Sequence, residues 1–65
     1  MTELEKLKHL LTHWAEHNDA HVKTYSEWAE KAEELGKADL SHIIRQIADD
    51  SKKLDELFRK AGELI

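Results

Sequence analysis

From Leu4 onward, one line of positions returns on alternating steps of three and four residues: Leu4, Leu7, Leu11, Trp14, Asn18, His21, Tyr25, Trp28, Ala32 and Leu35. All but Asn18 and His21 are apolar or aromatic. A 3–4 alternation places every member along one face of an α-helix, as the a and d positions of a heptad. Ala15, Val22 and Ala29 fall on the neighbouring e positions and widen the stripe. Thr2 and Glu5 have the spacing of a capping box ahead of the repeat, in which each side chain satisfies a free backbone N–H of the first turn. Gly36 follows the last member of the line and suits the left-handed position that closes a helix.

A second line begins at once: Leu40, Ile43, Ile47, Asp50, Leu54, Leu57, Ala61 and Leu64, broadened by Ile44, Phe58 and Ile65. Asp39 is placed to cap this helix or to sit in its first turn, at the positive end of the helix dipole. Asp49-Asp50-Ser51 is the weakest stretch, but the heptad phase runs through it without a slip, so a single helix is expected. Residues 1–65 therefore read as one all-α domain, with a helix over about 3–35, a turn at about 36–38 and a helix over about 39–64.

So short a turn forces the helices antiparallel. Pairing outward from it sets Leu35 by Leu40, Trp28 by Ile47, Tyr25 by Asp50 and His21 by Leu54. A lone hairpin leaves roughly half of each stripe wet, too much for a monomer. The expected architecture is thus an antiparallel two-helix hairpin that dimerises into a four-helix bundle.

Composition supports this picture and narrows the chemistry. Proline and cysteine are absent, and the two glycines stand at 36 and 62. Neither a disulfide nor a thiolate metal site is available. Charged residues make up 37% of the chain, interleaved in sign, with a net charge of −4. Phosphate binding needs a basic stripe, so nucleic acid is not an expected partner. No apolar run approaches the roughly 18 residues of a membrane span, and the start lacks the core of a signal peptide. Cytoplasm is the expected compartment. No nucleophile elbow or phosphate-binding glycine loop occurs, so no enzyme is expected.

The five histidines carry the candidate chemistry. His9, His13, His17 and His21 recur at every fourth residue. Histidines at i and i+4 stand one above the other on a helix and can chelate one ion. Each four-residue step turns by about 40°, so the ladder winds from exposed positions (His9, His13) through the seam edge (His17) into the seam (His21). Its ends lie roughly 18 Å apart, so one ion cannot take all four. The expected metal site is His17 with His21, completed by Asp50 or by a partner chain, with Asn18 and Tyr25 supplying a polar layer beside it. With no sulfur donor, Zn, Ni, Co, Cu(II) and Fe all fit.

Two other motifs are weaker. Asp39-x-x-His42 has the spacing found in di-iron carboxylate bundles, but no seam position carries the glutamates such a site needs. His42 itself falls on an exposed position.

The block from Leu10 to Glu33 contains His13-Trp14-x-x-His17-Asn18-x-x-His21, followed by Tyr25, Trp28 and Ala29. It resembles a short uncharacterised prokaryotic domain associated with small proteins of nickel and cobalt handling. The resemblance covers about a third of the chain. It implies that His13, His17 and His21 belong to the family signature, and it favours Ni or Co among the candidate metals. Two expectations follow. One is a non-enzymatic homodimer that holds a divalent transition metal through helix-one histidines. The other is an oligomerisation or protein-interaction module whose histidines are structural or pH-sensing and bind no metal.

Overall fold

The computed structural model describes residues 2–65 as two antiparallel α-helices, α1 (Glu3–Glu34) and α2 (Ala38–Glu63), and Met1 lies outside the described residues. The Thr2 hydroxyl caps α1, accepting from the Glu5 N–H at 3.2 Å and donating to the Glu5 carboxylate at 3.1 Å. At the other end Gly36 adopts φ +79°. The Lys37 N–H then bonds the Ala32 carbonyl at 2.9 Å, and the Gly36 N–H bonds that of Glu33 at 3.0 Å. This is the Schellman closure, which satisfies carbonyls the helix leaves free. Lys37 starts α2 without a side-chain cap, and Asp39 lies in the first turn. The helix passes through Asp49-Asp50-Ser51 unbroken.

The helices do not meet along the lines of their largest apolar residues. On α1 the contact line is Leu11, Ala15, Asn18, Val22, Tyr25, Ala29 and Ala32, all buried or half-buried. On α2 it is Ser41, Ile44, Ala48, Ser51, Asp55, Phe58 and Gly62. Relative to the expected seams, α1 is turned by about 50° and α2 by about 100°, roughly half a residue step and a whole one. The most deeply buried side chains are small: Val22, Ala29, Ala32, Ser41 and Ala48. Small side chains let two helices approach closely, and the approach is pinned by polar groups. Ser41 Oγ donates to the Ala29 carbonyl at 2.6 Å. Asn18 Nδ2 donates to the Ser51 carbonyl at 2.8 Å and to Asp55 Oδ1 at 2.9 Å. No buried side-chain polar atom among the described residues lacks a partner.

This rotation corrects two expectations. His21 and Asp50 are exposed and do not lie inside the hairpin. Trp14 and Trp28, on the expected line of α1, are 44% and 54% accessible in the single chain. The large residues displaced from the contact are offset from it in the same rotational sense about each helix axis. In antiparallel helices, equal sense means the same side. Trp14, His21 and Trp28 therefore share one side of the hairpin with Leu40, Ile47 and Leu54. Leu10 and His17 form one edge of that side, and Ile43, Asp50 and Leu57 form the other.

The opposite side is polar. Arg45 there reaches across to Glu33 at 3.2 Å. Further along α2, Arg59 is bonded to both Glu56 and Glu63. Hydrogen bonding and charge from Arg59 hold the Glu56 carboxyl below the usual carboxylate range. These groups are exposed, so they add little to stability. No helix among the described residues is long and apolar enough to cross a membrane.

Two substitutions test this contact. Asn18→Ala removes both hydrogen bonds to α2 and is expected to cost about 1–3 kcal/mol in urea unfolding at fixed protein concentration. Gly36→Ala forces a Cβ into the left-handed region and is expected to cost about 1–2 kcal/mol by the same assay. A stability unchanged in Asn18→Ala would show that Asn18 does not hold the register.

Candidate functional site

The histidine ladder is an exposed column along α1. The His13 and His17 rings stack at 6.2 Å between centroids, with planes 24° apart. His17 and His21 are closer, at 4.6 Å, and meet edge to face at 89°. The His21 ring then stacks on the Tyr25 ring at 6.0 Å. Helical spacing alone produces the column, since each ring lies one turn above the last.

The distance between the rings of the tightest pair falls within the range found for two imidazoles on one ion. Imidazole nitrogens about 2.0–2.1 Å from a metal, at angles between square and tetrahedral, hold their ring centres about 4.5–5.2 Å apart. His17 and His21 fall inside that range, while His13 stands outside it relative to His17. The two rings line a shallow groove with His13, Trp14, Asn18 and Phe58.

Asp50 does not join them. Its carboxylate is paired with Lys53 at 3.5 Å and is 63% exposed, on the far edge of the apolar side. Its displacement follows from the rotation of α2, which puts Ser51 in the contact and turns Asp50 out of it. Asn18, expected beside the ligands, spends its side-chain amide on α2. Tyr25 is half-buried and touches the site only through its stack on His21. His9 lies further up α1, in a groove with Lys6, Leu10 and His13. His42 lies apart from the ladder, beside Arg45, Gln46 and Asp49 on α2. No group of three or more His, Asp or Glu side chains among the described residues converges to hold an ion.

Sequence reasoning missed Ser41, Ser51 and Asp55, the α2 partners of the Asn18 and Ala29 levels. Their signal is a set of small and polar residues, Ser41, Ala48, Ser51 and Asp55, spaced by seven, three and four and lying one position away from the apolar line. A line of large apolar residues outweighs such a run in any reading based on hydrophobicity.

The model of a family described as a domain of unknown function, DUF8180, matches residues 7–65. An uncharacterised protein from Archaeoglobus fulgidus is 31% identical over 62 residues, covering 95% of this chain and 98% of that protein. No solved structure matches the chain.

Proposed function

The chain belongs to the DUF8180 family of domains of unknown function, and we propose that this member is a small non-enzymatic protein binding a divalent transition metal through α1 histidines. The observation that carries the reading is the 4.6 Å separation of the His17 and His21 rings. Two imidazoles one turn apart act as a bidentate clamp, and neutral nitrogen donors without sulfur suit Ni, Co, Zn or Cu(II). The resemblance of the His13-to-His21 block to a short uncharacterised prokaryotic domain, one associated with nickel and cobalt handling, favours the first two. His13 is near enough to guide an ion on and off. Since one chain supplies two donors, a closed site draws the remainder from water or from another copy of the chain. Asp50, paired with Lys53 on the far edge of the apolar side, stands outside this donor pair.

A second reading is favoured by a different observation, the breadth of the unpartnered apolar side. On this reading the protein is an assembly module, and its histidines set the stability of the assembly in acid.

Calorimetric titration of chelator-treated protein with Ni, Co, Zn and Cu(II) separates the two. The metal reading expects micromolar or tighter binding, at least tenfold weaker in the His17→Ala/His21→Ala double variant and nearly unchanged in His9→Ala. Binding indifferent to the double substitution overturns it. Imidazole binds a metal only when deprotonated, so the affinity is expected to fall as the pH is lowered, as the same titration repeated in acid would read. Affinity that held at pH 5 would point to carboxylate ligands instead.

A further inference from the structure

The apolar side of the hairpin is organised about its middle. On α1 its central line reads Leu7, Trp14, His21, Trp28, Leu35, each seven residues from the next. Leu7 and Leu35 are therefore equidistant from His21, as are the two tryptophans. On α2 the outer line reads Ile43, Asp50, Leu57, again seven residues apart, with Ile47 and Leu54 just inside it. The α1 line reads the same in either direction about His21, and the α2 line carries aliphatic residues, Ile43 and Leu57, at equal distances on either side of Asp50.

The two centres lie at one level. Asn18 is bonded between Ser51 and Asp55. Three residues further along α1 comes His21, and three back along α2 from the midpoint of that pair comes Asp50. The Ser41–Ala29 hydrogen bond gives the same register to within a residue. One line drawn across the hairpin, perpendicular to its helices, thus passes through the centre of both patterns.

A twofold axis has this requirement. In an isologous contact, whatever residue i meets, its partner meets in return. Rotation about the line through His21 and Asp50 reverses each helix and lays it on its own copy. We infer that a second copy of this chain covers the apolar side in this way, α1 antiparallel to α1 and α2 antiparallel to α2. Trp14 then packs on Trp28 of the other copy, Leu7 on Leu35, and Ile47 on Leu54. His21 faces its own equivalent at the axis.

Size and exposure fit that occupant. The hairpin measures 51 by 16 Å across its helices, about the 800 Å² per partner that a stable interface buries. Trp14, Trp28, Leu40, Ile43, Ile47, Leu54 and Leu57 are all exposed in the single chain. The Lys31 Nζ lies 4.4 Å from the centre of the Trp28 ring.

The arrangement also gathers His17 and His21 of both copies within about two turns around the axis, with Asp50 of each at the same level. The packing stands without a metal. That the four imidazoles form one ligand set rests on the metal reading above.

The test reads the packing directly and is made in chelator, so that failure to bind metal leaves it intact. The chain has no native cysteine, so a spin label on Lys37→Cys, in the turn, reports alone. Double electron–electron resonance is expected to give about 40–50 Å between labels, since the two turns lie at opposite ends of the dimer. A distance of about 20–30 Å places both turns at one end and overturns the packing, as does a monomer by sedimentation at tens of micromolar. Trp28→Glu should weaken the dimer at least tenfold while leaving the helical circular dichroism intact. A dimer indifferent to that charge also overturns the inference.

Discussion

The close contact between α1 and α2 determines everything else in this molecule. Two helices approach along Ala15, Val22, Ala29 and Ala32 on one side and Ser41, Ala48 and Ser51 on the other. Side chains this small bury little apolar area, so the contact depends on register as well as burial. Ser41 and Asn18 supply the register by donating to groups on the facing helix. Each bond contributes only about 0.5–1.5 kcal/mol net, but breaking one leaves a desolvated acceptor behind. With these small residues at the closest approach, and Leu11, Tyr25, Ile44 and Phe58 half-buried along the same contact, the remaining large side chains face outward. Two tryptophans and a row of leucines and isoleucines are turned to one side.

The existence, type and direction of both helices were legible in the sequence, and so was the turn. A 3–4 apolar repeat, a Thr2 cap and a glycine after Leu35 leave few alternatives, because each is a local constraint. The face that each helix presents to the other was not legible in the same way. A heptad line marks residues that need burial without saying what buries them. Here the hairpin buries only part of the line and leaves the rest on the open side. A reading that assigns the whole line to one contact rotates α2 by about a residue step, which is enough to take Asp50 out of a core and put Ser51 into it.

The same distinction explains the fate of the polar middle. Asn18, His21, Tyr25 and Asp50 look like one cluster when both lines face each other. The structure divides them by function. Asn18 belongs to the hairpin contact, where its amide has two acceptors. Tyr25 sits at the boundary, half-buried and stacked against a histidine. His21 and Asp50 go to the open side, at one level and on separate helices. The i, i+4 spacing of His17 and His21 survives the rotation because it is internal to α1. It was therefore the most legible part of the site.

On the proposed packing, the position of His21 makes assembly and binding a single equilibrium. A polar ring placed where two apolar faces meet costs stability unless it is hydrogen-bonded or coordinated. At a twofold axis that cost is met by the ring's own equivalent, so like charges confront each other as soon as both imidazoles are protonated. Two carboxylates at the same level temper that repulsion but cannot orient the rings, being a helix width away. An ion held by both copies removes the repulsion and fixes the rings together. Linkage then requires reciprocity: whatever factor the ion adds to dimer affinity, the dimer adds to ion affinity. A surrounding face of leucine and tryptophan magnifies the effect, because it excludes the water that would otherwise solvate an unpaired imidazole. Placing the tightest histidine pair beside the centre of the largest apolar surface is therefore how a chain of this size, with two donors of its own, would come to hold a metal at all.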